Sequence, residues 1–377
     1  MVACGDTSFD VAAGPPHLRG SGISVIQRRL ASPVARAGPS WDSAEVRTLY
    51  SIQYLRALAV LAVVSYHAGQ WVLSPVVVGA AGVDIFFIIS GFVMWTATWN
   101  QPADPLEFLR RRVVRIVPLY WLATVALALG VILMPGVIPN VTLQGAHLAK
   151  SLLFIPHVNP QGYPFPFLAV GWTLNYEVIF YLAFAAALSA GREHRLAVLT
   201  WILAPLACLG MILVPLYHLF ANPMLLQFLA GAVIARLWIQ RALPSPRVGL
   251  VLALIGGLGL VGTHWLGAQP DHFIRPFLWG APSACLVLGL VAAEPILPRI
   301  AALRHLGDAS YSIYLVHHSI MALVNRAMGP SQSVLFFCAA SGVSIAAGLA
   351  CHAAIERPLL ARLRRPRGAA TEAAAAP

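Results

Sequence analysis

The feature that most constrains this chain is the recurrence of uninterrupted apolar runs about as long as a bilayer is thick. A helix needs about 20 apolar residues to cross the hydrocarbon core, and ten runs near that length follow one another between residues 48 and 356. They lie at 48–70, 79–99, 113–135, 169–190, 196–215, 221–240, 248–267, 275–293, 309–328 and 333–356. Apolar residues are continuous within them. That excludes the alternating pattern of a membrane β-barrel. Charged residues make up only 10% of the chain, against about 25% in soluble domains. The reading is an all-α, polytopic membrane protein with about 10 transmembrane helices.

The net charge of +11 would point to nucleic acid in a soluble protein. Here the basic residues gather in the connections between runs, so topology explains them and nucleic acid is not an expected partner. If the runs alternate in direction, 21 of the 25 Lys and Arg residues fall on one side. Lys150, Arg275 and Arg326 fall on the other, and Arg56 lies inside the first run. The positive-inside rule then places both termini in the cytoplasm.

Residues 1–46 are rich in Ala, Gly, Pro, Ser and Arg and carry no apolar core behind a basic start, so no signal peptide is expected there. They read as a disordered extension, 47–360 as the membrane domain and 361–377 as a disordered cytoplasmic tail. The five cysteines show no CxxC spacing and read as small core residues. The long connection 136–168, "FIPHVNPQGYPFPF" within it, reads either as a lid or acceptor site or as an ordered loop packed on the bundle.

Ionisable residues inside the runs carry the functional signal. In "LRALAVLAVVSYHAG", Arg56 and His67 are eleven residues apart. On a helix that is about 20° beyond three turns, so both share one face about 16 Å apart along the axis. A buried ionisable group costs about 2.5–3.5 kcal/mol on insertion scales. Such a face should line a cavity or pair within the bundle, unless Arg56 snorkels and His67 is a satisfied core residue. Asp84 in "GVDIFFIISGF" stands near the depth of His67, either as an acid that orients it or as a helix cap. Ser90 and Gly91 permit close helix packing.

In "FLRRRVVRIVPLYW", Arg112 and Arg115 share a face at the start of the third run. Paired guanidiniums suit phosphate, and equally suit a headgroup anchor. Glu177 lies about two turns into "GWTLNYEVIFYLAF", at the expected level of His67, behind an interfacial Trp172. In "LGDASYSIYLVHHSI", Asp308 reads as an N-cap. The adjacent His317 and His318 point about 100° apart, so one of them should face the polar interior. Neither has a partner ligand at i+3 or i+4, and no metal site is expected. Glu356 in "HAAIERPLL" returns to the interface, where Pro358 limits the helix.

In order, "YLRALAVLAVVSYH", "GVDIFFIISGF", "RRRVVRIVPLYW", "WTLNYEVIFY" and "LGDASYSIYLVHH" resemble the acyltransferase-3 family of integral-membrane acyltransferases. That family decorates bacterial surface sugars, exopolysaccharides and secondary metabolites. The resemblance covers about 48–360. It implies a multi-pass protein of the bacterial cytoplasmic (inner) membrane. It also implies that His67 is catalytic and that Arg112 and Arg115 serve acyl-CoA. The family's Trp-Ser-Leu-x-x-Glu motif falls on Trp172, Thr173, Leu174 and Glu177, with Thr in place of Ser. Gly171 stands where the family often has Ser, and Tyr54 where many relatives have an Asp that would pair with Arg56.

The expected reaction is transfer of an acyl group, acetyl first, from acyl-CoA to a hydroxyl of a carbohydrate or secondary-metabolite acceptor. Acyl-CoA is then a co-substrate, and no permanently bound cofactor is expected. His67, oriented by Glu177 or Asp84, would act as general base, or as a nucleophile that carries the acyl group. Arg56 would line the path of the donor's arm, and Trp172, Thr173, Tyr176 and His317 would contact substrate. A proton-coupled transporter or flippase of a lipid-linked sugar is the alternative. The absence of an internal repeat disfavours the transporter; the flippase is the harder rival, since it could use the same buried relay.

Overall fold

The computed structural model describes residues 49–72, 76–100, 104–136, 141–213, 220–267, 273–329 and 333–363. The N-terminal extension and residues 364–377 of the tail lie outside the described residues. Every described element is a helix, a turn or a loop.

In chain order the helices are α1 (Tyr50–Gly69), α2 (Gly82–Ala97), α3 (Pro105–Leu133), α4 (Gly145–Leu152), α5 (Trp172–Ser189) and α6 (Gly191–Ile212). They continue with α7 (Leu225–Ile239), α8 (Pro246–Trp265), α9 (Ala281–Ala293), α10 (Ala301–Met328), α11 (Val334–Cys351) and α12 (Arg357–Leu363). A 3-10 turn, Val77–Ala81, leads into α2. Single π-helical turns, Pro276–Gly280 and His352–Glu356, precede α9 and α12. Each of the ten expected runs coincides with one of these helices.

Among the described residues, seven helical segments are long and apolar enough to cross a membrane. Two of the helices below that hydropathy, α1 and α10, carry polar side chains inward: Arg56 and His67 on one, Ser310, Tyr311, Tyr314 and His317 on the other. Leu122, Val125, Leu129 and Ile132 on α3, and Leu250, Leu254, Leu258 and Val261 on α8, are exposed. Apolar surface on this scale needs lipid against it. The chain is a multi-pass membrane protein.

Helix ends differ from the sequence reading at three places. α3 begins at Pro105 rather than 113, because Asp104 caps it by accepting from the Glu107 backbone N–H at 2.8 Å and Pro105 fits the first turn. The arginine cluster therefore sits inside a helix. α10 begins at Ala301 rather than 309, so Asp308 is no N-cap; it lies 3.8 Å from Arg304, one turn back. The last helix does not stop near Pro358: it passes through a π-helical turn, His352–Glu356, and α12 runs on to Leu363 with the proline in its first turn.

Packing brings distant runs together. α1 lies along α10, α10 along α11, α2 along α7 and α8 along α9. The α1 N-terminus is capped from afar: Glu294 accepts from the backbone N–H groups of Tyr50 and Ser51 at 2.9 and 2.7 Å. A carboxylate there meets both the orphan donors and the positive helix end. α2 and α7 touch backbone to backbone. A Cβ on Gly91 would stand 2.1 Å from the Phe228 carbonyl oxygen, and one on Gly231 2.0 Å from that of Ile88. Residues 141–168 of the connection before α5 pack on α3, where Tyr120 Oη donates to the Ser151 carbonyl at 3.1 Å and Trp121 Nε1 to that of Leu152 at 2.8 Å.

Candidate active site

Two contiguous cavities open between α1, α2, α3, α10 and the end of α11. The first is a vestibule of about 1020 Å³. Its walls hold seven arginines against four carboxylates, among them Arg56, Arg112, Arg115, Arg304 and Arg357. At its rim Glu107 binds both Arg110 and Arg111, at 2.6 and 2.8 Å. The excess of guanidinium over carboxylate gives the vestibule a positive lining.

The second cavity is a chamber of about 190 Å³ that shares Arg56, Val93, Met94, Arg112 and Arg115 with the vestibule. Glu177 and Tyr181 of α5 line it, and Tyr181 Oη donates to Glu177 Oε2 at 3.1 Å. Arg56 Nε donates to Ser310 Oγ at 3.1 Å, so α10 holds it where the sequence offers no acid at Tyr54. Tyr54 instead ties down the connection before α10: its hydroxyl donates to the Pro298 carbonyl and accepts from the Ile300 N–H. Arg115 pairs with Glu356, which also accepts from Ser312 Oγ at 2.6 Å.

One turn along α10 from Ser310, Tyr314 lines the chamber together with Phe86 of α2 and Thr173 of α5. The Thr173 and Tyr314 hydroxyls lie 3.0 Å apart, and Tyr314 donates to the Val170 carbonyl at 3.0 Å. One turn further along α10, the His317 ring lies 5.8 Å from that of Tyr314. His317 Nε2 is 3.1 Å from His67 Nδ1. His67 lines neither cavity; Tyr314 lines the chamber and packs against His317.

The structure therefore redistributes the expected constellation. Neither acid meets His67. Asp84 is fully buried and accepts from Arg275 Nη2 at 2.9 Å and Gln227 Nε2 at 2.8 Å. Glu177 stands in the chamber with Arg56, Arg112 and Arg115. Both members of the His317–His318 pair reach His67, with ring centroids 4.9 and 5.5 Å away, although adjacent residues were expected to diverge. Trp172 and Tyr176 stack edge to face at 5.8 Å, outside the walls of both cavities.

The model of the acyltransferase-3 family, described as an acyltransferase domain, matches residues 49–353. This chain belongs to that family. Within it, the exopolysaccharide production protein ExoZ of Rhizobium meliloti is 36% identical, with 80% of this chain and 96% of ExoZ covered. The acyltransferase MdmB of Streptomyces mycarofaciens is 29% identical, with 86% and 94% covered. The O-acetyltransferase OatA of Staphylococcus aureus is 26% identical over 75% of this chain and 53% of its own length. No solved structure matches significantly. The acyltransferase-3 membership makes this chain an O-acyltransferase, and the matched residues include every residue of the chamber wall.

Sequence reasoning passed over Tyr311, Tyr314, Tyr181 and the partnership of Glu356. A signal was present for α10: Ser310, Tyr314 and His317 recur at i, i+4 and i+7, a polar stripe on one helix face. For Glu356 the signal was His352, four residues earlier, whose Nδ1 lies 2.7 Å from Glu356 Oε2. Nothing local in sequence pointed to Arg115, which is 241 residues away.

Proposed function

We propose that this acyltransferase moves a short acyl group from acyl-CoA to a carbohydrate hydroxyl, with His67 as general base. One observation carries the reading: an arginine-lined vestibule narrows into a chamber whose far wall, Tyr314, touches the His67–His317 pair. The vestibule binds the nucleotide and pyrophosphate of the donor, with Arg112 and Arg115 at its neck. It opens on the side of the arginine-rich connections, the cytoplasmic side of an inner-membrane protein in this reading, with both termini on that side and about ten helices crossing. The donor's arm extends through the chamber past Arg56, covering the rise of about 16 Å along α1 to His67. The Phe86–Tyr314 pair, ring centroids 6.1 Å apart, yields to admit the thioester.

The acceptor hydroxyl loses its proton to His67 as its oxygen attacks the thioester carbonyl. The C–S bond breaks, and the proton returns to the thiolate of CoA. The name of OatA, an O-acetyltransferase, supports acetyl as the group moved. The name of ExoZ, an exopolysaccharide production protein, supports a sugar acceptor. The decisive measurement is acylation by purified protein in lipid, with labelled acetyl-CoA and exopolysaccharide. Transfer is expected with the wild type and a loss on the order of 10²-fold or more with His67→Ala. Full activity of that variant, or no transfer from any acyl-CoA, overturns the reading.

A further inference from the structure

We infer, on the reading of His67 as the base, that His317 is the positioning residue that fixes its tautomer and orientation. The part expected of Asp84 or Glu177 is thus taken by a second histidine.

The ring nitrogens decide it. His317 Nδ1 lies 2.7 Å from the Tyr314 carbonyl oxygen and 3.2 Å from that of Ile313. Carbonyl oxygens only accept, so this nitrogen carries the proton, and the neutral ring keeps its lone pair on Nε2. That Nε2 faces His67 Nδ1 at 3.1 Å. His67 Nδ1 also lies 3.0 Å from the Val63 carbonyl oxygen. Both neighbours of His67 Nδ1 are acceptors. It therefore carries the proton, and His67 presents a bare Nε2. Two contacts on two different helices demand the same tautomer.

The support is itself held. His317 is fully buried, and Ser344 Oγ of α11 donates to its carbonyl at 3.2 Å. His318 meets the His67 ring edge-on and packs against it. A histidine suits this place physically. It accepts from His67 without bringing a second charge into a buried site, where an unpaired carboxylate is costly. When His67 Nε2 takes the proton of the acceptor hydroxyl, the imidazolium keeps donating Nδ1–H to His317. The dipole stabilises the charge until the proton leaves for the CoA thiolate.

Two near-isosteric variants separate this role from simple packing. The amide of His317→Asn reaches the position of Nδ1 and keeps the bond to Tyr314, but offers His67 no acceptor. That of His317→Gln reaches the position of Nε2 and restores the acceptor. With acetyl-CoA as donor, the Asn variant is expected to lose on the order of 10²-fold in kcat with donor KM within about twofold, and the Gln variant to recover most of it. Equal activity of the two variants refutes the assignment. Nitrogen-15 NMR of histidine-labelled wild-type protein reads the tautomer without any substitution: His67 should show a protonated Nδ1 and a bare Nε2, and the reverse pattern refutes it even if both variants fail to fold. Should His67→Ala retain transfer, the base assignment falls while the tautomer result stands on its own.

Discussion

Arg115 of α3 and Glu356 of the π-helical turn after α11 form an ion pair at the neck between vestibule and chamber. Glu356 is 1% exposed and binds Ser312 and His352 besides, so three helical segments meet on one carboxylate. Removing Arg115 leaves the buried Glu356 carboxylate without its cation, and removing Glu356 unties all three segments from their shared acceptor. Glu356→Gln is expected to lower the thermal midpoint of the purified protein and to raise the donor KM, because Arg115 loses its anchor. The double variant Arg115→Gln, Glu356→Gln should recover part of the lost stability, with a coupling energy of about 0.5–3 kcal/mol. Strictly additive effects of the two single substitutions would show that the pair does no work.

Arg112 lines both cavities, and its guanidinium lies 5.6 Å from the Phe108 ring centroid. If it holds donor phosphate, Arg112→Ala raises the donor KM by about 10-fold or more, a loss of about 1.4 kcal/mol or greater, with kcat nearly unchanged at saturating acyl-CoA. Arg112→Lys restores only part, since an ammonium cannot reproduce the planar fork. Initial rates over a range of donor concentrations test this. A fall in kcat at constant KM would place Arg112 outside donor binding.

The membrane helices were legible because burial in lipid demands long apolar runs, and the polar exceptions marked α1 and α10 as the walls of a site. The shared face of Arg56 and His67 followed from helical rise alone. What sequence could not supply was lateral pairing. Asp84 and Glu177 stand at suggestive positions along their own helices, but partners are chosen by which helices pack, and Asp84 turns to Arg275, 191 residues away. Helix register also moved: eight residues added to the start of α10 turned Asp308 from a cap into part of the vestibule wall. A π-helical turn, which apolar periodicity does not report, carried Glu356 inward to Arg115.

The α2–α7 contact gives a stability test independent of catalysis. A methyl on Gly91 or Gly231 would collide with backbone carbonyls, which cannot rotate away as a side chain can. Gly91→Ala and Gly231→Ala are each expected to cost about 1–3 kcal/mol or more through forced separation of the helices. Gly342→Ala on α11, where nothing lies within 4 Å of the new Cβ, is expected to be neutral or to stabilise by up to about 1 kcal/mol. Thermal melts in one detergent compare all three, and a tolerated Gly231→Ala would contradict the backbone contact.

The connection before α5 carries a second histidine pair, and it is expected to loosen in acid. His157 Nδ1 donates to the Ile155 carbonyl at 2.8 Å, so its Nε2 accepts from His147 Nδ1–H at 2.6 Å. Burial, and then the neighbouring His157, hold the His147 pKa below the ordinary histidine value. The folded protein thus binds this proton less readily than the unfolded chain. The stability held by the pair is present above the ordinary value of about 6.5 and drains as pH falls through and below it. Hydrogen exchange across residues 145–168 should quicken between about pH 7 and pH 5 relative to the helices, after correction for the intrinsic pH dependence of exchange. His147→Gln should flatten that extra dependence. An unchanged pH profile in the variant would assign the loosening to another group.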